Sequence, residues 1–499
     1  MYIAILGRQP ALGMSELEHL YGARDVRWFS SHTAVIATPT LNFEQLGGSL
    51  KAGRIVGELP HGDWRQASTK IVQLYIKKWS KNEGKITLGI SAYGFDVSTR
   101  DIQKTGLILK QKLKNSPASL RLIPNQETAL NTAASHHNKL GLSANKVELL
   151  VVRAENGRII IAESIGAQNI TQLARRDQGR PKRDAFVGML PPKLAQIMVN
   201  MVSTYSSLAL QLPSQGRSMG GDSASPWRLA RPDGDIPSNG AEAQALQTQG
   251  VVLEVSSQST SSFQKHLQPE PAPARVARGG AAPASTLGEA GADRATGPAD
   301  SDQRGADEDS SNDGSGKTAL RLLDPFCGTG VVLQEAALMG YDVYGTDLSE
   351  KMIDYSKVNL DWLTKTYHRD INATLHQGDA MESTWQPPID AVVCESYLGQ
   401  PFSAPPSPEK LQQVMKNCDY IISSFLKNIG NQIDPGTPLC IAVPAWRDKN
   451  GHFSHLPLIR KLEQLGYSQF AFKNVNAADL LYYREDQVVA RQLLALVKA

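Results

Sequence analysis

The chain has 499 residues, an ordinary apolar content of 41% and a formal net charge of +3. It is too long for a single hydrophobic core, and its near-neutral charge does not by itself indicate a nucleic-acid partner. Its four cysteines are widely spaced and include no Cys-x-x-Cys pair, so they provide neither a disulfide framework nor a zinc site. No signal peptide and no run of about 18 apolar residues is found. We therefore expect a cytoplasmic protein without a membrane partner.

The first 170 residues predict two α+β units in succession. Residues 1–55 begin with a strand at Tyr2–Leu6, followed by a helix at Ser15–Tyr21 and a strand at His32–Thr38. Residues 56–170 alternate between helical and extended patterns. The predicted elements there are helices at Trp64–Trp79 and Asp101–Lys114, a strand at Lys85–Ala92, and a hairpin of Lys146–Arg153 with Ile159–Glu163.

The composition changes sharply near Pro213. Residues 214–317 are rich in Ser, Gly, Ala, Pro, Gln and Asp and poor in aromatic residues. A segment with so little apolar surface cannot offset the entropy of ordering it. We predict a disordered low-complexity insertion at 214–317, preceded at 171–213 by a linker and the first helix of the next domain.

In residues 318–499, extended and helical patterns alternate, which predicts a doubly wound, Rossmann-like parallel α/β sheet. Two extended segments at the end of the chain, Leu480–Tyr483 and Val488–Leu496, flank a polar turn and predict a closing antiparallel hairpin. The predicted parallel strands are Leu320–Leu323, Asp342–Thr346, Thr374–Gln377, Ala391–Cys394 and Leu439–Val443.

The strongest motif lies at Asp324–Gly330, between the first of these strands and a helix at Val331–Met339. Its glycines permit a tight turn and a close backbone approach to a ligand at a helix N-terminus. Asp347 ends the second strand, where a carboxylate accepts both ribose hydroxyls, and Asp379 follows the third, where it accepts from an adenine amino group. The pattern predicts an S-adenosylmethionine site. Its predicted residues are Asp324, Phe326, Gly328, Thr329, Gly330, Asp347, Leu348, Asp379 and Ala380.

Two other chemistries compete for this region. A nicotinamide-binding fold also carries an acid about 20 residues past its glycines. Here, however, Leu333 occupies the place of the third glycine, and Asp324 faces a cationic or amino group better than a pyrophosphate. A cytosine-5 methyltransferase would hold a thiolate near Cys394, but no Pro-Cys pair is present, and Cys327 is better explained as a small buried residue.

With these motifs, the chain resembles the THUMP-containing tRNA guanosine N2-methyltransferases, the family that modifies guanine at tRNA position 10. The similarity rests on Asp324–Gly330 and Gly340–Asp347, on the opening Leu6–Pro10, and on Arg180–Asp184 continuing through Gly188–Asn200. It implies an N-terminal ferredoxin-like domain at 1–55, a THUMP-like RNA-binding domain at 56–170, and a helix near Met189 that helps bind the methionine end of the cofactor.

The sequence departs from the family at the catalytic loop. Enzymes of this kind usually carry Asp or Asn, two prolines and an aromatic residue after the fourth strand, whereas this chain reads Cys394-Glu395-Ser396-Tyr397. We expect Glu395 to replace the acid that accepts from the exocyclic amine and Tyr397 to stack on the extruded base. Both prolines that stiffen the loop are absent.

Basic residues interleaved with aromatic ones lie in the N-terminal half, where Lys and Arg on one face neutralise phosphates. We therefore predict a tRNA partner and methyl transfer to the exocyclic N2 of a guanosine. A DNA amino-methyltransferase and a tRNA-binding protein that has lost catalysis stay open as alternatives. The predicted RNA-binding residues are Lys77, Lys78, Lys81, Lys110, Lys114, Arg175, Arg176 and Arg180.

Overall fold

A computed structural model describes residues 1–184, 190–203 and 319–499. Met189 and the predicted insertion at 214–317 lie outside the described residues. The two β-sheets described below belong to one compact unit of the chain. Within the described ranges, no helix combines the length and the apolar character needed to cross a membrane.

The N-terminal half forms one eight-stranded sheet with the strand order β2-β3-β1-β4-β8-β7-β5-β6. Its strands are β1 (Tyr2–Leu6), β2 (Val26–Ser30), β3 (Thr33–Ile36), β4 (Ser49–Leu59), β5 (Gly84–Tyr93), β6 (Ala118–Leu122), β7 (Lys146–Arg153) and β8 (Ile159–Ala167). The predicted hairpin of β7 and β8 is confirmed, since the two strands pair antiparallel.

The central strand β4 corrects the predicted domain boundary at residue 55. This strand pairs antiparallel with β1 on one side and with β8 on the other. The boundary therefore falls inside a strand, and the two units predicted at 1–55 and 56–170 share a continuous sheet. The sequence prediction missed β4 because its alternating small, basic and apolar residues, Ser49–Leu59, show no simple period.

Helices cover this sheet and lead out of it. The predicted helix at Trp64–Trp79 is confirmed as α2, which begins with a capping box: the Asp63 carboxylate accepts from Gln66 N at 2.9 Å and the Gln66 amide oxygen accepts from Asp63 N at 2.9 Å. The other helices before residue 203 are α1 (Pro10–Tyr21), α3 (Thr99–Lys112), α4 (Thr132–His137), α5 (Ile170–Gln178) and α6 (Pro192–Asn200).

The C-terminal sheet has nine strands. Its main order is β11-β10-β9-β12-β13-β17-β15, with β14 added to β13 and β16 added to β17. The helices are α7 (Val331–Leu338), α8 (Glu350–Tyr367) and α9 (Pro408–Gly430). The strands are β9 (Arg321–Asp324), β10 (Asp342–Asp347), β11 (Ala373–Gln377), β12 (Ala391–Glu395), β13 (Pro438–Arg447), β14 (Phe453–Ser454), β15 (Tyr467–Gln469), β16 (Leu481–Tyr482) and β17 (Val489–Lys498).

This sheet confirms the predicted doubly wound architecture. Strands β9 to β13 are parallel, and β9 pairs with β10 on one side and β12 on the other, so the chain changes direction across the sheet at β9. In such sheets ligands bind outside the carboxyl ends of the strands at this switch point. The predicted closing hairpin is also confirmed, because β16 and β17 pair antiparallel.

Two buried carboxylates of α1 connect this helix to α6 and to the segment that follows β15. Glu16 accepts from Gly47 N at 2.8 Å, Gly48 N at 2.9 Å and Asn200 Nδ2 at 2.7 Å. Glu18 accepts from the backbone N and the side-chain Nδ2 of Asn474, both at 2.8 Å. Burial raises the pKa of Glu16 to about 7, although the three N–H donors act in the opposite direction. The contacts fix α1 against α6 and against the segment that follows β15.

Candidate cofactor and catalytic site

The Asp324–Gly330 turn lies at the switch point, directly after β9. Cys327 N donates to Thr346 O at 2.9 Å, which fixes the turn against the end of β10. Gly330 has a φ of +81° and immediately precedes α7, and a Cβ there would lie 2.9 Å from the Ser356 hydroxyl. Both the backbone conformation and the close approach require glycine at this position.

Two buried side chains of α8 donate hydrogen bonds to backbone carbonyls of the turn. Ser356 Oγ donates to Gly328 O at 2.9 Å, and Asn359 Nδ2 donates to Thr329 O at 2.8 Å. Asn359 also accepts from Lys182 N and donates to Lys182 O, both at 2.9 Å. The segment that leads from the N-terminal half toward the C-terminal sheet is thus tied to the same residue that fixes the turn.

Asp347 lies at the end of β10 and closes the turn from the other side. One carboxylate oxygen accepts from Gly328 N and the other from Ser349 N, each at 2.9 Å. Burial raises the pKa of Asp347, against the effect of these donors. Because Gly328 N donates to Asp347, it is not presented to a pyrophosphate, which opposes the nicotinamide alternative.

Three carboxyl groups meet at this edge of the sheet. Asp324 is 1% exposed, and its pKa is raised well above the usual range, first by burial and then by the negative charges of Asp347 and Glu395. Such a site favours a positively charged ligand over an anionic one. S-adenosylmethionine, which carries a sulfonium and an ammonium group, fits these carboxyl groups; a pyrophosphate does not.

The remaining predicted cofactor residues lie around the same edge. Gly378 N donates to Asp347 O at 3.0 Å, which brings the Asp379 loop beside Asp347. The Asp379 carboxylate accepts from Met381 N at 2.8 Å, and the next residue, Ala380, is buried. Leu348 is 68% exposed, and Phe326 packs edge-on against Phe425 with ring centroids 5.2 Å apart.

The Glu395 carboxylate at the end of β12 is paired with the Arg491 guanidinium of β17. The two side chains are 14% and 9% exposed, so this is a largely buried ion pair. The next residue, Ser396, is anchored by its N and Oγ to Ala442 O at 3.0 and 2.9 Å. Tyr397 is 41% exposed at the surface of the loop, as a ring that stacks on a base must be.

Arg491 was missed in the sequence analysis. The signal was a single arginine inside the mostly apolar strand Val489–Lys498, because charged side chains are almost never buried unless paired. Its partner could not be identified from spacing, since Glu395 lies 96 residues earlier and two strands away.

The cysteines near the site are buried thiols. Burial, with smaller contributions from nearby carboxyl groups, raises the pKa of both Cys327 and Cys394 well above its usual range. A thiol of this kind is a poor nucleophile. The cytosine-5 alternative is therefore not supported.

Five of the predicted RNA-binding lysines lie at one edge of the N-terminal sheet. Helices α2 and α3 lead directly into β5 and β6, which are parallel neighbours, so the C-terminal ends of both helices meet at the same edge. Lysines at helix C-termini are also favoured by the helix dipole. Lys78 pairs with Glu163, and the others are exposed there; they are Lys77, Lys81, Lys110 and Lys114.

The arginines predicted with them require a correction. Arg176 Nε donates to the buried Glu335 carboxylate at 2.6 Å, and Arg180 is 3% exposed. Neither side chain is on the surface, so direct contact of these two with RNA was a wrong prediction. Arg175 is exposed, with its guanidinium 5.8 Å from the centroid of the Tyr367 ring.

An open cleft of about 930 Å³ lies between the two sheets at the opposite edge from the cofactor turn. Its wall includes Gly340 and Arg369, which precede β10 and β11. It also includes Arg54 and His136 of the N-terminal half, but none of the predicted cofactor residues.

Comparisons with known proteins cover the segment that contains the turn. Residues 317–468 match the family model described as a methyltransferase domain. The tRNA (guanine(10)-N2)-dimethyltransferase of Methanothermobacter thermautotrophicus is 31% identical over 132 residues, which cover 26% of this chain and 35% of that protein. The probable tRNA (guanine(10)-N2)-dimethyltransferase of Methanothermococcus thermolithotrophicus is 28% identical over 120 residues, 23% of this chain and 74% of that protein.

The tRNA (guanine(10)-N2)-dimethyltransferase of Pyrococcus abyssi is 54% identical over 46 residues, which cover 9% of this chain and 14% of that protein. The Methanothermobacter and Pyrococcus enzymes are therefore matched over about a third and a seventh of their own lengths. Among solved structures, TrmN from Thermus thermophilus aligns over 100% of this chain and 99% of its own, with a TM-score of 0.43 and 11% identity. The switch-point turn, its acidic edge and the matched domain together show that the chain carries an S-adenosylmethionine-dependent methyltransferase domain.

Proposed function

We propose that the protein methylates the exocyclic N2 of a guanosine in tRNA. The observation that carries the proposal is the juxtaposition, at one edge of the sheet, of the acidic cofactor turn with Glu395 and Tyr397. The names of the similar proteins from Methanothermobacter and Methanothermococcus, which refer to tRNA guanine N2, support the substrate class.

The cofactor, when bound, supplies an electrophilic methyl group. Asp347 and Asp379 would hold it through its ribose and adenine, and a cationic ligand would relieve the repulsion among the carboxyl groups of Asp324, Asp347 and Glu395. The turn itself is already fixed by Ser356 and Asn359, so little reorganisation is needed on binding.

Glu395 accepts a hydrogen bond from the guanine amine and thereby orients the nitrogen lone pair. Arg491 fixes the Glu395 carboxylate in position. This ion pair takes the place of the two prolines that stiffen the loop in the tRNA guanosine N2-methyltransferases. Tyr397, exposed on the same loop, stacks on the extruded base. Holding the reacting atoms in line is the main contribution such a site makes to the rate.

The basic edge of the N-terminal sheet binds the tRNA body. Its lysines lie on two adjacent helix ends, where they neutralise backbone phosphates without reading sequence. This separates recognition of the tRNA from the chemistry at the other sheet.

The test is transfer of labelled methyl groups from adenosylmethionine to an unmodified tRNA transcript, followed by nucleoside analysis. We expect labelled N2-methylguanosine with the wild type, none with Glu395→Gln, and none from a transcript with adenosine in place of guanosine at position 10. A label in another nucleoside would show that the target atom is not N2 of guanosine. A label only in duplex DNA would favour a DNA amino-methyltransferase, and tight tRNA binding without transfer would favour a binding protein.

A further inference from the structure

Three basic side chains from distant parts of the chain converge near the edge of the C-terminal sheet that carries Glu395 and Tyr397. They are Arg8 after β1, Lys193 at the start of α6, and Arg484 after β16. We propose that Arg8, Lys193 and Arg484 bind a backbone phosphate of the RNA strand that carries the target nucleotide. The inference rests on the proposed function, since it assumes that the substrate is RNA.

Backbone contacts bring the three segments together. Gln9 Nε2 and Arg8 Nη2 both donate to Tyr483 O, at 2.7 and 3.4 Å, which places Arg8 next to Arg484. Gly7 N donates to Gly48 O at 2.9 Å.

The neighbouring glycine, Gly47, then links this corner to α6. It packs so closely on Lys193 O that a Cβ there would lie 2.1 Å from it. The chain around Arg8 is therefore fixed against the first turn of α6 as well as against the β16–β17 turn.

The three cations face one another without an acidic partner. Among the ion pairs of the described residues, none includes Arg8, Lys193 or Arg484. Glu485 and Asp486, which follow Arg484 in the chain, are exposed. Burial, together with the positive charges of Arg8 and Arg484, lowers the pKa of Lys193. Three like charges held together disfavour the free protein, and a bound anion relieves their repulsion.

The position of the cluster fits a phosphate near the reacting base. Strand β16 is antiparallel to β17, which is antiparallel to β13, so β16 runs toward the edge where β12 ends. Tyr482 of β16 lies opposite Arg491, the partner of Glu395. Three strand spacings of about 4.8 Å separate β12 from β16, and Arg484 lies two residues beyond Tyr482, so the cluster is about 15–20 Å from Glu395. An RNA strand crosses this distance in a few nucleotides.

The proposal is tested by the salt dependence of tRNA binding, measured by fluorescence anisotropy with the full-length protein. The variants are Arg8→Gln, Lys193→Gln and Arg484→Gln. The matched control is Lys427→Gln, an exposed lysine near the end of α9 and thus at the opposite edge of the sheet. Each phosphate contact that is lost reduces the slope of log K against log salt by about 0.7 for a single strand.

We expect each cluster variant to bind tRNA about 3- to 10-fold more weakly at ~0.1 M salt with a reduced slope, and the control to match the wild type. Lys193→Gln is also expected to raise, or leave unchanged, the melting temperature, since it removes a repelled charge. Wild-type slopes in all three cluster variants would overturn the inference.

The cofactor's own carboxylate is the other negative group that the cluster could bind. Calorimetry with adenosylmethionine distinguishes it from an RNA phosphate. If Lys193→Gln weakens cofactor binding and leaves the tRNA slope intact, the cluster belongs to the cofactor and the inference is wrong. Failure of the proposed function has a different signature, because it is seen in the wild type itself, which would then form no N2-methylguanosine in tRNA, whatever the salt slopes of the cluster variants.

Discussion

Glu395 at the end of β12 and Arg491 on β17 form a largely buried ion pair that crosses the intervening strand β13. The pair connects the loop that carries the candidate catalytic residues to the closing hairpin of the sheet. Removing one partner leaves a buried charge without compensation, whereas removing both leaves neutral groups. The arrangement therefore predicts strong coupling between the two positions.

A double-mutant cycle measures this coupling. We expect Arg491→Gln alone to reduce the free energy of unfolding by about 3 kcal/mol, and the Glu395→Gln/Arg491→Gln double variant to recover most of that loss. Urea denaturation gives the stability of all four proteins. Additive effects would show that the two side chains do not interact in solution. Methyl transfer should be lost in the double variant despite its recovered stability, because Glu395 is absent.

The sequence predicted this sheet well but not its cross-strand partners. The strands around Asp324, Asp347 and Glu395 were predictable because apolar runs alternate with helical patterns, and the glycine-rich turn has a specific spacing. Partners such as Arg491, and the shared strand β4, depend on which strands become neighbours, which no local pattern records. The same limit explains Arg176, which looked like part of a basic surface run but pairs with a glutamate 159 residues away.

Asp347 is predicted to be the main anchor of the cofactor's ribose. Asp347→Ala should weaken adenosylmethionine binding by roughly 1–3 kcal/mol, because the ribose hydroxyls lose their acceptor. Isothermal calorimetry measures this directly. Asp354→Ala is the matched control, since Asp354 is an exposed aspartate of α8 that pairs with Lys357 at 3.5 Å. Equal affinities for Asp347→Ala and the wild type would remove Asp347 from the site.

Glu16 should make the stability of the protein depend on pH. Its pKa is about 7 in the folded protein and about 4.5 in an unfolded chain, so between these values the folded state binds more protons. Stability is then highest below about pH 5 for this group, and falls as the pH rises through 7. A shift of this size corresponds to about 3 kcal/mol.

Urea denaturation of the wild type and Glu16→Gln at pH 5 and pH 8 tests the prediction. The wild type should lose up to about 3 kcal/mol more than the variant between the two pH values. The constant cost of placing an amide at this position cancels, because each protein is compared with itself. An identical pH dependence in both proteins would show that Glu16 does not titrate in this range.

Gly330 offers a test of the turn that is read out in both stability and cofactor binding. Gly330→Ala combines a strained φ of +81° with a Cβ only 2.9 Å from the Ser356 hydroxyl. Gly436→Ala is the matched control, because Gly436 has a φ of +88° and a Cβ there would meet no atom within 4 Å beyond its chain neighbours.

Backbone strain alone costs about 1–2 kcal/mol, so both variants should lose that much stability. Gly330→Ala should lose more, and it alone should weaken adenosylmethionine binding, because the Ser356 contact to Gly328 O must shift. If the two variants were equally stable and both bound the cofactor like the wild type, the close approach between the turn and α8 would not exist in solution.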